Sequence, residues 1–186
     1  MSAHDKLAAI LEELTRNARS VDAEQLQRLV AEILAADRIF LAGAGRSGLA
    51  SRAFANRLLH LGKSVSVVGD VTSPHSRPGD LLIIGSGSGQ TEGLLALAAS
   101  AHAAGLRVAA MTMDRASRIA QLADLTLVLP GVSPKLHEQS AQTSLQPLAS
   151  AFEQLLLLTY DAVVLELMVE LGQTADSMYA RHADLE

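Results

Sequence analysis

The sequence predicts an α/β fold, a single doubly wound sheet of five parallel strands flanked by helices. Two features of the pattern carry this. Five short, nearly continuous apolar runs recur along the chain, as strands covered on both faces require. Stretches of helical periodicity separate them, and that alternation implies βαβ units with right-handed crossovers. Composition agrees: of 186 residues, 49% are hydrophobic, 3% aromatic and 19% charged, the charged share lying below the roughly 25% usual for soluble domains. Such a balance excludes a disordered chain. The length argues for one domain over 1–186, with N-terminal helices at about residues 5–35 and a long C-terminal helix plus tail at about residues 145–186, packing on the sheet or on other subunits.

In order along the chain, Leu7, Ile10, Leu11 and Leu14, then Leu26, Leu29, Val30 and Ile33, follow the i, i+3, i+4, i+7 spacing of two amphipathic helices. Asp22, with Gln25 three residues on, caps the second. The strands are expected at 38–42, 64–68, 80–84, 107–111 and 125–129, with helices at about 47–61, 90–104 and 115–123 between them. Residues 73–79, with Pro74 and Pro78, read as a loop, and Pro130-Gly-Val-Ser-Pro134 ends the last strand. A long helix at about 145–171 follows, Gly172 stops it, and a short helix begins near Thr174.

Several function classes fall away. Fifteen Lys plus Arg against twenty Asp plus Glu give a net charge of -5, which repels phosphate polymers, and the scarcity of aromatics leaves no base-stacking platform, so nucleic acid is not an expected partner. The absence of Cys excludes thiol catalysis, disulfides and thiolate metal sites, and fits a cytoplasmic location. Residues 155–171 are the most hydrophobic stretch, but Asp161, Glu166 and Glu170 interrupt it, so no membrane span is expected. The N-terminus is charged from Asp5 onward and lacks the apolar stretch of a signal peptide. The histidines at 4, 60, 75, 102, 137 and 182 show no metal-binding spacing, and no metal is expected.

In a doubly wound sheet, ligands bind at the carboxyl ends of strands where strand order reverses, here after the first and third strands. Each is followed by a glycine-rich turn. The first, Gly43-Ala44-Gly45-Arg46-Ser47-Gly48, matches G-x-G-x-x-G, read either as a dinucleotide fingerprint or as a tight strand-to-helix turn. A dinucleotide site also needs an acid about 20 residues further on, for which Asp70 is a late candidate that also reads as an exposed turn residue. The second turn, Gly85-Ser86-Gly87-Ser88-Gly89-Gln90-Thr91, lets the backbone approach an anion, adds hydroxyl donors, and precedes a helix N-terminus. It is a phosphate cradle without the Lys of a Walker loop. Its bland alternative is a flexible Gly/Ser connector. Together the turns favour a small phosphorylated ligand, with Arg46 and Ser47 brought to the same crevice.

On the long helix, Glu153 sits between Phe152 and Gln154-Leu-Leu-Leu-Leu158. Gln146, Ser150 and Tyr160 form a polar stripe with it. A partly desolvated carboxylate there suits a general base, although periodicity alone favours a solvated helix Glu. His182, in a terminal segment, reads by itself as part of a frayed end.

GAGRSG at 43–48, the helix Ser51–Gly62, SGSGQT at 86–91, Leu145–Glu153 and the ending Arg181-His-Ala-Asp-Leu-Glu186 resemble the sugar isomerase (SIS) domain family, and within it the 6-phospho-3-hexuloisomerase branch of the ribulose monophosphate pathway of formaldehyde assimilation. The resemblance implies an SIS-type, flavodoxin-like sheet. It also implies a metal- and cofactor-independent isomerase interconverting D-arabino-hex-3-ulose 6-phosphate and D-fructose 6-phosphate through an enediol. Carried over residue by residue, it gives substrate binding to Gly45, Arg46, Ser47, Ser86, Gly87, Ser88, Gly89, Gln90 and Thr91, proton transfer to Glu153, and an assisting role to His182 from the same or a neighbouring subunit of a homo-oligomer, a tetramer or dimer. The family more often has Glu where this chain has Gln90. Rival readings are another aldose–ketose isomerase, such as one acting on arabinose 5-phosphate, and a non-catalytic phosphosugar sensor.

Overall fold

The computed structural model describes residues 1–136 and 143–185; His137 and Glu186 lie outside the described residues. The five apolar runs are strands β1 (Ile39–Gly43), β2 (Val65–Val67), β3 (Leu81–Gly85), β4 (Arg107–Thr112) and β5 (Leu125–Val128). All pair in parallel, in the order β2-β1-β3-β4-β5. The order reverses between β1 and β3, and their register sets Gly43 beside Gly85. Both glycine-rich turns therefore leave the sheet next to each other at its carboxyl edge, in the crevice the topology favours.

Alternation along the strands divides the core into two layers. Ile39, Leu41, Leu81, Ile83, Met111 and Leu127 pack on one face against α1 (Ala3–Ala18), α2 (Ala23–Ala35), α3 (Gly45–His60) and α6 (Ser150–Glu170). Phe40, Leu82, Ile84 and Val108 pack on the other, under α4 (Glu92–Ala103) and α5 (Arg118–Leu122). A short α7 (Ala175–Tyr179) ends the fold. Among the described residues, no helix is long and apolar enough to cross a membrane.

Local chemistry sets the helix starts. Ser2 and Asp5 form a reciprocal capping box, which brings the start of α1 forward to Ala3. Asp22 caps α2 by accepting from the backbone amides of Glu24 and Gln25. Ser117 caps α5, which is shorter than the periodicity predicts because Asp114 turns the preceding residues by accepting from the Ala116 amide.

The largest departure is at α6. The helix starts at Ser150 rather than near 145, because Pro147 disfavours helical backbone at the residue before it and Leu148 adopts a positive φ of 55°. Gln146 is therefore not part of the predicted helical stripe, and Tyr160 from that stripe is fully buried, stacked on Phe54 at 4.2 Å. That stack fixes α3 against α6.

Candidate active site

The first turn makes a close crossing from β1 to α3. A Cβ on Gly43 would lie 2.9 Å from the Gly48 backbone, and one on Gly48 only 2.7 Å from the Gly43 carbonyl oxygen. These glycines thus serve the packing of strand on helix. Asp70, the candidate ribose ligand, is held by Arg52, whose Nη2 donates to Oδ1 at 2.8 Å. Both ends of the dinucleotide pattern therefore have structural roles in this chain.

The second turn is fastened from below by the end of β4. Ser86 N donates to Met111 O at 2.9 Å, Met113 N to Gly87 O at 2.9 Å, and the buried Thr112 hydroxyl also to Gly87 O. Gly89 has φ of +58°, and a Cβ there would fall 2.1 Å from Ser117 Oγ, so the turn tolerates no side chain at this point. Its other side opens on a cavity lined by Ser86, Gly87, Ser88 and Thr91. Thr91 is the N-cap of α4 yet makes no side-chain cap bond, and the first amides of a helix have no partner within it. The Ser88 hydroxyl accepts from Gln90 N at 3.3 Å, which turns the chain into the helix.

Facing this cradle across a cavity of about 370 Å³ is Glu153, in the first turn of α6. Gly45, Ser47, Ser86, Gly87, Ser88, Thr91 and Glu153 all line that cavity. Arg46, expected in the same crevice, does not line it; it lines a second cavity that shares Glu153, with Leu49, Ala53 and Leu157, and donates from Nε to Glu153 Oε2 at 2.5 Å, the Glu153 side chain being 17% exposed and that of Arg46 60%. The carboxylate is thus partly withdrawn from water, as its apolar neighbours imply, and its partner is a guanidinium rather than the helical stripe.

Three further expected site residues stand elsewhere. Gly89 lies buried beneath the turn, and Gln90 is exposed and outside the cavity lining. His182 stacks on His60 at 5.2 Å, while Arg181 donates to the His60 carbonyl at 3.1 Å. His60 ends the helix in whose first turn Arg46 lies, so within one chain His182 is separated from Glu153 by about 20 Å of helix.

Sequence reasoning missed Leu94 on α4, Ser133, Pro134 and Lys135, from the loop after β5, and Leu148 and Ala149, which also line the cavity. The run Pro130-Gly-Val-Ser-Pro134 marks a loop, and its place at a carboxyl strand end was the available signal. Among the described residues, no cluster of three or more His, Asp or Glu side chains is arranged to hold a metal ion.

The SIS domain family profile matches residues 32–159. The chain belongs to the SIS domain family. Among its relatives, a 3-hexulose-6-phosphate isomerase of Bacillus subtilis is 44% identical over 186 residues, covering all of both chains. One of Mycobacterium gastri is 40% identical, covering 98% of this chain and 90% of its own. Of solved structures, a Methanococcus jannaschii protein whose structure was read as implying a 3-hexulose-6-phosphate isomerase superposes with a TM-score of 0.84 at 30% identity, covering 98% of this SIS chain and 99% of that one.

Proposed function

We propose that this SIS protein is a phosphosugar isomerase interconverting D-arabino-hex-3-ulose 6-phosphate and D-fructose 6-phosphate. The observation that carries the reading is a single cavity with a phosphate cradle on one wall and the Glu153 carboxylate on the other. Its size falls within the range of about 300–1,000 Å³ usual for small-molecule sites. The names of the full-length relatives point to the same substrate.

In this mechanism Ser47, Ser86, Ser88 and Thr91 hold the phosphate with the first amides of α4. The phosphate is remote from the reacting carbons, so its binding energy positions them against Glu153. Glu153 takes the proton from C2 of the 3-hexulose as negative charge develops on the C3 oxygen, giving an enediol. Return of that proton to C3, with a hydroxyl proton passing from O2 to O3, leaves the carbonyl at C2. Electrons and atoms balance without a redox cofactor. Arg46 orients the carboxylate through its 2.5 Å bond and offers positive charge to the developing oxyanion.

The same reading treats residues 1–186 as one SIS unit working in the cytoplasm as a homo-oligomer, a tetramer or dimer. Exposed Leu49 on α3 and Leu157, Leu158, Leu165 and Val169 on α6 support association, since solvent-facing apolar groups of this kind mark contact surfaces. Because His182 is remote from Glu153 in its own chain, its assisting role is assigned to the cavity of another subunit.

A coupled assay for fructose 6-phosphate formation from the 3-hexulose isomer tests the activity. Glu153→Gln is expected to lower kcat by about 10²- to 10⁴-fold with inorganic phosphate still bound. Near wild-type turnover in that variant removes Glu153 from the mechanism. Phosphosugar binding without turnover by the wild type replaces the enzyme with a sensor.

A further inference from the structure

Glu13, on α1, is 4% exposed, and Gln146, far along the chain, is 8% exposed. Gln146 Nε2 donates to Glu13 Oε2 at 3.1 Å, a bond spanning 133 residues. A buried carboxylate is costly unless hydrogen-bonded, and an apolar pair of similar volume would often serve stability as well. What such a polar pair adds is a fixed relative position. Gln146 lies in the segment 144–149, which has no regular secondary structure and carries the strained Leu148. A residue held at positive φ persists only where its surroundings determine it.

The segment has two consequences for the cavity. Leu148 and Ala149 form part of its wall. Ala149 is also the N-cap of α6, without a side-chain cap, and its carbonyl accepts from Glu153 N at 3.0 Å. Within the segment, Gln146 N donates to Ser144 Oγ at 3.0 Å and Ser150 N to Pro147 O at 3.2 Å. These bonds are local, whereas the bond to Glu13 ties the segment to a distant helix.

We propose that Glu13 is a positioning residue: through Gln146 it holds the 144–149 wall and thereby the first turn of the helix that presents Glu153. Its effect on rate rests on the isomerase reading; its effect on the wall does not.

The test compares Glu13→Ala, Glu13→Gln and the exchanged pair Glu13→Gln with Gln146→Glu. Measured are kcat and KM, inorganic phosphate affinity, and amide hydrogen exchange over 143–149. In Glu13→Ala, kcat is expected to fall about 10- to 100-fold, with phosphate affinity within about twofold of wild type and exchange faster in that segment. Glu13→Gln keeps an acceptor and the exchanged pair restores the bond in reversed sense, so both should recover kcat and protection. Wild-type protection of 143–149 in Glu13→Ala overturns the proposal, as does an exchanged pair no better than Glu13→Ala. So does a kcat loss matched by an equal loss of phosphate affinity. Should the wild type turn over no sugar phosphate, the isomerase reading fails while the exchange measurement still decides the anchor.

Discussion

The Gly/Ser turn at 85–91 and the wall that carries Glu153 line one cavity and are built by different means. The turn occupies one continuous stretch, 85–91, between a buried strand and a helix, with β4 beneath it. The wall is assembled from Leu148 and Ala149 of the segment 144–149 and Glu153 on α6, with Arg46 on α3 bonded to Glu153 and Glu13 on α1 bonded to Gln146. A contiguous anion site uses backbone amides and small side chains that local sequence supplies. A carboxylate aimed at a substrate carbon needs neighbours from elsewhere to aim it.

This contrast can be broken most severely at Gly89. Gly89→Ala places a Cβ against Ser117 in a positive-φ backbone, and should cost about 3 kcal/mol of stability together with phosphate binding, read by thermal melting with and without phosphate. Next is Arg46→Ala on the opposite wall. Arg46 is largely exposed, so melting should hardly move while kcat falls about 10- to 100-fold; an equal loss of phosphate affinity would erase the distinction between the walls. Ser88→Ala is milder. It should raise KM by about tenfold, the value of one charge-assisted hydrogen bond, with kcat unchanged.

The smallest effect concerns Tyr160, packed between the walls beside Gly85 and Ser51. Burial pushes its phenol well above the ordinary value of 10.0, with the Ser51 hydroxyl opposing the shift. Below that ordinary value the phenol is neutral in both folded and unfolded chains. As pH rises past it, the unfolded chain ionises first, so stability declines by up to about 1.4 kcal/mol per pH unit. Tyr160→Phe should flatten that decline in melting measured from pH 9 to 11, about one unit on either side of the ordinary value; an unchanged slope would mean that Tyr160 is not the group responsible.

The strands, their alternation with helices and the two glycine turns were legible because each depends on neighbours a few residues apart: apolar runs, the Gly/Ser alternation, capping residues. The start of α6 was not. Helical periodicity continues through 145–149, but Pro147 and the positive φ of Leu148 end it there. The polar stripe drawn through Gln146, Glu153 and Tyr160 failed twice: Gln146 lies before the helix, and Tyr160, though on it, is buried against Phe54. His182 was legible as a family motif, but its stack on His60 at the far end of α3 comes from how α7 folds back.

By itself the sequence determined the sheet, its crevice and the position of the Gly/Ser turn, because hydrophobic period and glycine conformation act over short stretches of chain. Tertiary structure alone decided that Arg46 takes Glu153 as its partner, that Lys135 lines the cavity, and that Glu13 on the first helix accepts a hydrogen bond from Gln146. Those contacts join residues about a hundred positions apart. Their geometry exists only once the helices have packed on both faces of the sheet.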